Sequence, residues 1–261
     1  MTHRLAVVGG GNMGAALVGG LLRAGWAAAD IAVVEVVPER RTALGEMFPG
    51  VKVTDSVPAC DAALIAVKPY DVASACAVAV AAGARRLLSI AAGISLGALQ
   101  AAAGPGVAVV RSMPNTPALV GEGAAGVCGG EGTTEADLTW AESILGAVGT
   151  TVRVPEAQLD AVTGLAGSGP AYLFLVAEAL TDAGVLAGLS RPNAEELVRQ
   201  LFVGSAALLS ERGDPAALRA MVTSPGGTTA AGLRILEENA VRSAFLEAVM
   251  AATARSRALG S

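Results

Sequence analysis

The sequence predicts an α/β fold, with a parallel sheet in its first part and an all-α second part. Over residues 1–155, short β-rich runs alternate with helical segments, which is the pattern of a parallel sheet covered by helices. After Pro155 the spacing of apolar residues becomes helical, and no further strand is predicted. At 261 residues the chain is long enough for two domains. We therefore predict one domain over 1–155 and a second over 156–261.

The elements of the first domain follow from apolar runs of strand length and from the helical stretches between them. Strands are predicted at 4–8, 31–35, 51–53, 62–67, 86–90, 107–111, 124–128 and 151–154. Helices are predicted at 13–24, 38–47, 71–82, 95–102 and 135–147. Because right-handed crossovers join parallel strands, we expect every strand to end at the same edge of the sheet, which is where ligands bind in such folds.

Proline and glycine mark the elements of the second domain. Pro170, Pro192 and Pro215 each stand where a helix would begin, a position that tolerates the missing N–H. Helices are predicted at 157–165, 170–187, 192–211, 215–222 and 229–258. The first long one is of bilayer length, but Glu178 and Asp182 would each cost about 2.5–3.5 kcal/mol near a membrane centre. We therefore predict a helix buried in protein and no membrane partner.

Composition and charge narrow the functional class. The chain is 53% hydrophobic and 16% charged, and we expect a partner subunit to cover part of the apolar excess. A net charge of −5 without a basic run argues against nucleic-acid binding. Cys60, Cys76 and Cys128 are odd in number and without motif spacing, so reduced thiols in a cytoplasmic protein are expected. Neither a signal peptide nor a metal site is predicted.

A glycine-rich turn between the first strand and the first helix predicts dinucleotide binding. In Gly9-Gly10-Gly11-Asn12-Met13-Gly14, Gly9 allows a tight bend, Gly11 lets the backbone touch a pyrophosphate, and Gly14 lets the helix lie against the sheet. The N–H groups at the start of the helix then point at the phosphates. The binding residues are expected to include Gly9, Gly11, Asn12, Met13 and Gly14.

The end of the second strand bears on the choice of cofactor. Glu35 lies 21 residues after Gly14, where an acid that binds ribose hydroxyls is expected. At about 5 Å a carboxylate repels each unit of charge on a 2′-phosphate by about 3 kcal/mol at an effective dielectric constant of 20, which favours NAD. Arg40 or Arg41 could neutralise Glu35 or reach the phosphate. NADP and NAD therefore both remain open as cofactors.

The inventory of proton donors is unusual for an oxidoreductase. His3 is the only histidine, Lys52 and Lys68 are the only lysines, and of the two tyrosines only Tyr172 lies in the second half. Enzymes that reduce a carbonyl usually protonate the alkoxide from a positioned His, Lys or Tyr. A protonated imine needs no such acid. The sequence therefore favours imine reduction over alcohol oxidation.

Four loops carry small or polar residues at strand ends or helix starts. Val67-Lys68-Pro69 and Ala92-Gly93 end two strands and are predicted to face the cofactor. Asn115-Thr116 lies in a stiff loop between two prolines and displays an amide and a hydroxyl. Ser224-Pro225-Gly226-Gly227-Thr228-Thr229 opens the last long helix and combines N–H groups with hydroxyls, a suitable cradle for a carboxylate. Each loop, taken alone, is also compatible with a plain turn or cap.

Taken together, five stretches resemble the Δ1-pyrroline-5-carboxylate reductase family in order along the chain. They are Val8–Gly14, Ala66–Pro69, Arg111–Pro117, Gly167–Tyr172 and Ser224–Thr229. The resemblance implies an N-terminal Rossmann-type doubly wound sheet and a C-terminal all-α dimerisation domain, with homodimers that assemble into larger homo-oligomers. It also implies NAD(P)H-dependent reduction of 1-pyrroline-5-carboxylate, a small-molecule substrate, in the last step of proline biosynthesis.

The resemblance assigns roles to individual residues. The substrate carboxylate is expected on Ser224, Gly226, Gly227, Thr228 and Thr229, with Thr229 as the catalytic residue near the imine nitrogen. Asn115 and Thr116 are expected near the nicotinamide.

Two other functions remain as alternatives. A β-hydroxyacid dehydrogenase shares the two-domain plan, but it uses a lysine in its second domain, and this chain has none after Lys68. A redox sensor or scaffold would bind NAD(H) without turnover. An assay of imine-dependent NADH oxidation separates that protein from a reductase.

Overall fold

Eight strands form one sheet in the computed structural model, which describes residues 2–260. They are β1 Leu5–Val8, β2 Ile31–Val34, β3 Lys52–Thr54, β4 Ala62–Ile65, β5 Arg86–Ser89, β6 Ala108–Pro114, β7 Gly123–Gly129 and β8 Gly149–Arg153. Their order across the sheet is β3-β2-β1-β4-β5-β6-β7-β8. The order reverses at β1, so that a crevice opens beyond the carboxyl ends of β1 and β4.

The expectation that all strands end at one edge is wrong for the last two. β7 pairs antiparallel with β6, and β8 is parallel to β7, so both run opposite to the rest of the sheet. The connection between β6 and β7 explains the reversal. It consists of residues 115–122, whereas a parallel crossover needs about a dozen residues or more. The same pairing extends β6 to Pro114, beyond the predicted end at 111.

Helices cover both faces of the sheet. They are α1 Asn12–Arg23, α2 Pro38–Met47, α3 Val72–Ala81, α4 Leu96–Ala103, α5 Glu135–Leu145 and α6 Leu159–Val162. One apolar core contains residues of α1, α2 and α5, and the other contains residues of α3, α4 and α6. Alternate residues of β1 enter the two cores: Leu5 and Val7 one, Ala6 and Val8 the other. The predicted doubly wound α/β architecture is confirmed.

The remaining helices belong to the second half of the chain. After a π-helical turn at Thr163–Gly167 come α7 Gly169–Leu186, α8 Arg191–Arg212, α9 Pro215–Met221, α10 Thr228–Glu238 and α11 Val241–Leu259. The single helix predicted over 229–258 is wrong, because the chain breaks between α10 and α11. Ala240 is left-handed at φ +54°, and Asn239 Nδ2 donates to the Ile235 carbonyl oxygen at 2.8 Å.

The described chain divides into two compact units, each with most of its contacts within itself. One comprises the chain up to Ser168 together with the segment from Met250 onward, and the other is Gly169–Val249. Leu159 of α6 is buried in a core of the sheet. The domain boundary between residues 155 and 156 follows the change from strand to helix and stays a prediction. The first residue of the first predicted domain, Met1, and the last residue of the second, Ser261, lie outside the described residues.

One helical stretch of the described chain, Glu156–Leu186, is by length and composition apolar enough to cross a membrane, with a mean hydropathy of 1.3. The π-helical turn interrupts it, and Asp182 near its end pairs with Arg191 at 2.8 Å. Buried helices of ordinary proteins also reach this hydropathy. The expectation that protein covers this stretch stays a prediction.

The three cysteines are free thiols inside the sheet unit. Cys60, Cys76 and Cys128 are all buried. Burial raises the pKa of each thiol to about 11. They are therefore fully protonated near neutral pH and poor nucleophiles.

Candidate functional site

The glycines of the turn after β1 are of two kinds. Gly9 has φ +110°, and a Cβ there would lie 2.5 Å from the Ala66 carbonyl oxygen. A Cβ on Gly14 would lie 2.1 Å from the Gly9 carbonyl oxygen. The fold itself thus requires both glycines. A Cβ on Gly11 would meet no atom within 4 Å, so the space beside Gly11 is open to a ligand.

The start of α1 offers unpaired backbone donors beside that space. Gly11 is the N-cap, and no side chain of residues 2–260 caps the helix. The first intrahelical bond runs from the Ala15 N–H to the Gly11 carbonyl oxygen at 2.9 Å. The N–H groups of Asn12, Met13 and Gly14 therefore precede the helical ladder, and together with the helix dipole they favour an anion. This is the geometry that a pyrophosphate needs.

Glu35 is held rigidly at the end of β2, next to the glycine turn. Its carboxylate accepts hydrogen bonds from the N–H groups of Gly10, at 3.1 Å, and Val37, at 3.0 Å. Arg40 donates from Nε to the Gly10 carbonyl oxygen at 2.8 Å, and Arg41 donates from Nη1 to the carbonyl oxygens of Glu35 and Val36. In this part of the described chain, the two guanidinium groups thus bind backbone oxygens and form no ion pair with the Glu35 carboxylate.

A cleft of about 750 Å³ lies along the carboxyl ends of β1, β2, β4, β5 and β6. It brings together most of the residues predicted to bind the cofactor. Those that line it are Gly9, Gly11, Asn12, Met13, Glu35, Val67, Lys68, Pro69 and Ala92. The cleft spans the point where the strand order reverses, as in other open α/β sheets that bind dinucleotides.

Some lining residues were not predicted to bind. Met113 and Pro114 line the cleft because β6 continues to Pro114. Ile90 and Ala91 line it beside Ala92, and Asp71 lies in it just after Pro69. For the first four the signal is position alone, since each ends or directly follows a parallel strand or adjoins a predicted site residue, whereas Asp71 lies two residues after Pro69.

Four predicted cofactor residues lie outside the lining. Gly14 lies beneath the turn against Gly9, and Thr116 begins the 3-10 helix Thr116–Val120. Gly93 follows Ala92 at φ +75°. Asn115 is the clearest departure from expectation, because its amide is not displayed.

The Asn115 side chain is buried and joins parts of the backbone. Its Nδ2 donates to the Ala166 carbonyl oxygen at 3.0 Å, and its Oδ1 accepts from the Ala124 N–H at 2.8 Å. Asn115 thereby fixes the turn before β7 to the π-helical turn. The geometry gives it a structural task in place of the exposed position that the sequence suggested.

The predicted substrate loop, Ser224–Thr229, lies in the helical unit. Gly226 has φ +70°, and the Gly227 N–H donates to the Ser224 carbonyl oxygen at 3.1 Å. Gly227 is the N-cap of α10, and among the described residues no side chain caps the helix. The first intrahelical bond comes from Ala231. The loop therefore presents the N–H groups of the first helical turn beside the hydroxyls of Ser224, Thr228 and Thr229, all of them exposed.

Curated relatives match this chain along nearly its whole length. A pyrroline-5-carboxylate reductase from Mycobacterium leprae is 43% identical over 283 aligned positions, which cover 98% of this chain and 96% of the relative. The chain belongs to the pyrroline-5-carboxylate reductase family.

Solved structures of pyrroline-5-carboxylate reductases have the same fold as this chain. The enzyme from Coxiella burnetii superposes with a TM-score of 0.93 at 33% identity and covers 100% of both chains. The enzyme from Plasmodium falciparum, solved with NADP bound, gives 0.84 at 32% identity and covers 99% of this chain and 98% of its own.

Two family profiles match the two parts of the chain. Residues 4–93 match the profile described as NADP oxidoreductase coenzyme F420-dependent. Residues 156–259 match the profile of pyrroline-5-carboxylate reductase dimerisation. The first match contains the glycine turn and Glu35, and the second contains the loop at the start of α10.

Proposed function

We propose that this chain catalyses the NAD(P)H-dependent reduction of the cyclic imine of 1-pyrroline-5-carboxylate to L-proline, the last step of proline biosynthesis. The observation that carries the proposal is the full-length match to reductases of that name. The cleft and the loop at α10 supply the two binding functions that such a reaction needs, one for a dinucleotide and one for a small carboxylate.

The cleft has the residues that hold an NAD(P) cofactor. The open space at Gly11 and the free N–H groups of Asn12, Met13 and Gly14 suit the pyrophosphate. Glu35 suits the adenosine ribose. Ile90–Ile94, which we name the nicotinamide loop, and the Val67–Pro69 segment suit the far end of the dinucleotide. When bound, the reduced nicotinamide supplies the hydride that the imine carbon accepts.

The loop Ser224–Thr229 is proposed to hold the substrate. The N–H groups at the start of α10 bind the carboxylate, and their positive dipole favours its negative charge. The Thr229 hydroxyl hydrogen-bonds the ring nitrogen as the amine forms. No strong acid is required, because the protonated imine already carries its proton. This agrees with a sequence that has no histidine or lysine after Lys68.

The test is a variant series at Thr229, assayed with pyrroline-5-carboxylate and NADH or NADPH. We expect Thr229→Ala to lower kcat/KM by about 10–100-fold, or about 1.4–2.7 kcal/mol of transition-state stabilisation. Thr229→Ser restores the hydroxyl and should recover most of the loss. Ser243→Ala, which removes a hydroxyl bound to Glu247 on α11, serves as the control and should leave kcat/KM unchanged.

Two results would overturn the proposal. One is a kcat/KM for Thr229→Ala within twofold of the parent. The other is a parent protein that oxidises 3-hydroxy acids or reduces 2-keto acids far better than it reduces the imine. A protein that binds NADH but leaves it unoxidised in the presence of the imine would be a sensor or scaffold and no reductase.

The proposal includes a homodimer that assembles further, in the cytoplasm. It is supported by the match to the dimerisation profile and by apolar side chains exposed along α7 and α8, such as Phe174, Leu175 and Leu201. Obligate interfaces resemble a domain core cut in half. Three buried free thiols support a reducing compartment.

A further inference from the structure

The nicotinamide loop is fastened at two points by segments that come much later in the chain. The loop connects β5 to α4 and contributes Ile90, Ala91 and Ala92 to the cleft. Glu156, in the 3-10 turn before α6, binds the first residue of α4, just beyond the end of the loop, and the last turn of α11 contacts the middle of the loop. All of these residues belong to the sheet unit.

The first point is the start of α4, which Glu156 holds. Glu156 Oε1 accepts the Leu96 N–H at 2.6 Å and Arg111 Nη1 at 2.8 Å. Leu96 is the first residue of α4, so its N–H has no partner within the helix. A carboxylate at that end also interacts favourably with the helix dipole.

Arg111 connects this contact to the sheet. It lies on β6 directly opposite Ser89, the last residue of β5, and only 13% of its side chain is exposed. The nicotinamide loop begins right after Ser89 and ends just before α4. One end of the loop is therefore fixed because it continues from β5. The other end is fixed because Glu156 joins Leu96 to Arg111 on the neighbouring strand β6.

The second point is Gly93, in the middle of the loop. A Cβ on Gly93 would lie 3.3 Å from the Leu259 carbonyl oxygen, so the last turn of α11 lies directly on the loop. Ser256 holds this last turn of α11 against α6, because its hydroxyl donates a hydrogen bond to Asp160 Oδ1 at 2.7 Å. Asp160 follows Glu156 by one helical turn. One short segment, residues 156–160, therefore supports the loop by both routes.

We propose that Glu156 is a positioning residue, which holds the nicotinamide loop in the conformation that binds the nicotinamide in its reactive orientation. The inference rests on the proposed function, since it assumes that the cleft binds NAD(P)H. Glu156 does not line the cleft, and it acts through Leu96 and Arg111. The adenosine end of the cleft, at Gly11 and Glu35, lies just beyond the ends of β1 and β2 and does not depend on Glu156.

The experiment compares the two ends of the cofactor. We expect Glu156→Ala to lower kcat by about 10–100-fold and to raise the KM for NADH or NADPH, because small displacements of reacting groups are costly. The affinity for ADP-ribose, which lacks the nicotinamide, should stay within twofold of the parent. The affinities for NADH and for ADP-ribose are both measured by titration calorimetry, independently of turnover.

Two further variants separate positioning from helix capping. Glu156→Gln keeps an acceptor oxygen for Leu96 and should recover part of the lost kcat. Ser95→Ala removes the ordinary cap of α4, a bond from the Ala98 N–H at 3.2 Å, and should leave kcat and KM near the parent values. If Glu156→Ala does not fold, Arg111→Met tests the connection to β6 while Glu156 still caps α4, and the same separation of NADH from ADP-ribose is expected.

Three outcomes would overturn the inference. They are an unchanged kcat and cofactor KM in Glu156→Ala, an equal loss of affinity for NADH and ADP-ribose, or an equal effect of Ser95→Ala. Turnover of the imine by the parent protein tests the proposed function separately. If the parent lacks that activity, the comparison of NADH with ADP-ribose binding still decides the role of Glu156.

Discussion

At the scale of single residues, the glycine turn shows how a ligand site differs from a steric requirement. Gly9 and Gly14 are needed because a Cβ at either would collide with backbone oxygen. Gly11 has no such reason to be glycine. Its φ of −64° suits any residue, and the space before it is open. A side chain at Gly11 should therefore affect a ligand and leave the fold intact.

We predict that Gly11→Val abolishes measurable NADH and NADPH binding, because the side chain occupies the space of the pyrophosphate. Thermal unfolding should stay close to that of the parent. Gly45→Val is the matched control: Gly45 lies on α2, exposed and with nothing within 4 Å of an added Cβ. A folded Gly11→Val protein with parental cofactor affinity, measured by fluorescence titration, would contradict this prediction.

Glu35 should govern the choice between NADH and NADPH. The N–H groups of Gly10 and Val37 hold its carboxylate at the end of β2, where its charge would repel a 2′-phosphate. We expect Glu35→Gln to raise the ratio of kcat/KM for NADPH to that for NADH by about 10–100-fold, which is below the full repulsion estimated at 5 Å because solvent screens the site.

Glu39→Gln removes the same charge from the first turn of α2 and is the control for Glu35. It should leave the ratio unchanged. Steady-state kinetics with both cofactors measures the effect, and equal ratios for the parent and Glu35→Gln would rule out the role of Glu35.

The residues of the candidate site and its supports were predictable where a motif fixes the backbone and unpredictable where a distant contact orients a side chain. Gly11 and Glu35 follow from the strand, turn and helix pattern. Asn115 does not, because its orientation depends on Ala124 and on Ala166, which is 51 residues away. The link from Glu156 to Leu96 likewise crosses 60 residues and leaves no local signal in the sequence.

At the scale of elements, the sequence pattern predicted all eight strands but missed two features of the fold, which are the direction of β7 and β8 and the break between α10 and α11. The reversal of β7 follows from the short connection after β6, so the length of that loop could have predicted an antiparallel pair. The break between α10 and α11 has no glycine or proline to mark it. It occurs at Ala240, which adopts a left-handed conformation rare for alanine.

The start of α5 has a capping box formed by Thr134 and Asp137, and the carboxyl group of Asp137 titrates. The Thr134 N–H and hydroxyl donate to Asp137 Oδ2 at 2.9 and 2.6 Å, and Arg86 Nε pairs with Asp137 Oδ1 at 2.7 Å. Burial on its own raises the pKa of Asp137, but the hydrogen bonds from Thr134 and the charge of Arg86 outweigh it and hold the pKa below its ordinary value.

We predict that Asp137→Asn lowers the free energy of unfolding at pH 7 by about 0.5–2 kcal/mol, the usual range for a lost cap. Because the folded pKa is depressed, this stabilisation is complete above the ordinary pKa near 3.9 and is lost as the pH falls through the folded value. The difference between parent and variant should therefore shrink below about pH 4.

Urea unfolding at pH 7 and pH 3.5, followed by tryptophan fluorescence, measures the difference, since Trp140 lies on α5. Glu46→Gln, an exposed carboxylate on α2, should change stability little at either pH. A deficit in Asp137→Asn that is equal at both pH values would show that the carboxylate charge is not involved.

At the scale of the whole molecule, the two units differ in what they bury. The sheet unit has two apolar cores. In the helical unit Gly169–Val249, whose residues are all described, the buried residues are Thr181 and Ala194. Large apolar side chains are instead exposed, among them Phe174 at 65% and Leu246 at 69%. Helices with so little buried surface cannot offset the conformational entropy lost on folding.

We therefore predict that the protein is a dimer or larger at micromolar concentration and that its helical unit folds only in that assembly. Light scattering should give at least twice the mass of one chain. The midpoint of thermal unfolding should rise with protein concentration, because association stabilises the folded state by mass action.

A charge placed on the exposed apolar face tests the cause of this association. Phe174→Glu should dissociate the assembly or lower its thermal midpoint, because a carboxylate would be buried without a partner. Met47→Glu places the same charge on an exposed apolar residue of α2, in the sheet unit, and should change neither mass nor midpoint.

A monomeric parent at micromolar concentration, with a thermal midpoint independent of dilution, would mean that the apolar side chains of α7 and α8 remain in water. In that case the dimeric assembly would have to be abandoned, whereas the cofactor cleft, which lies within one sheet unit, would remain.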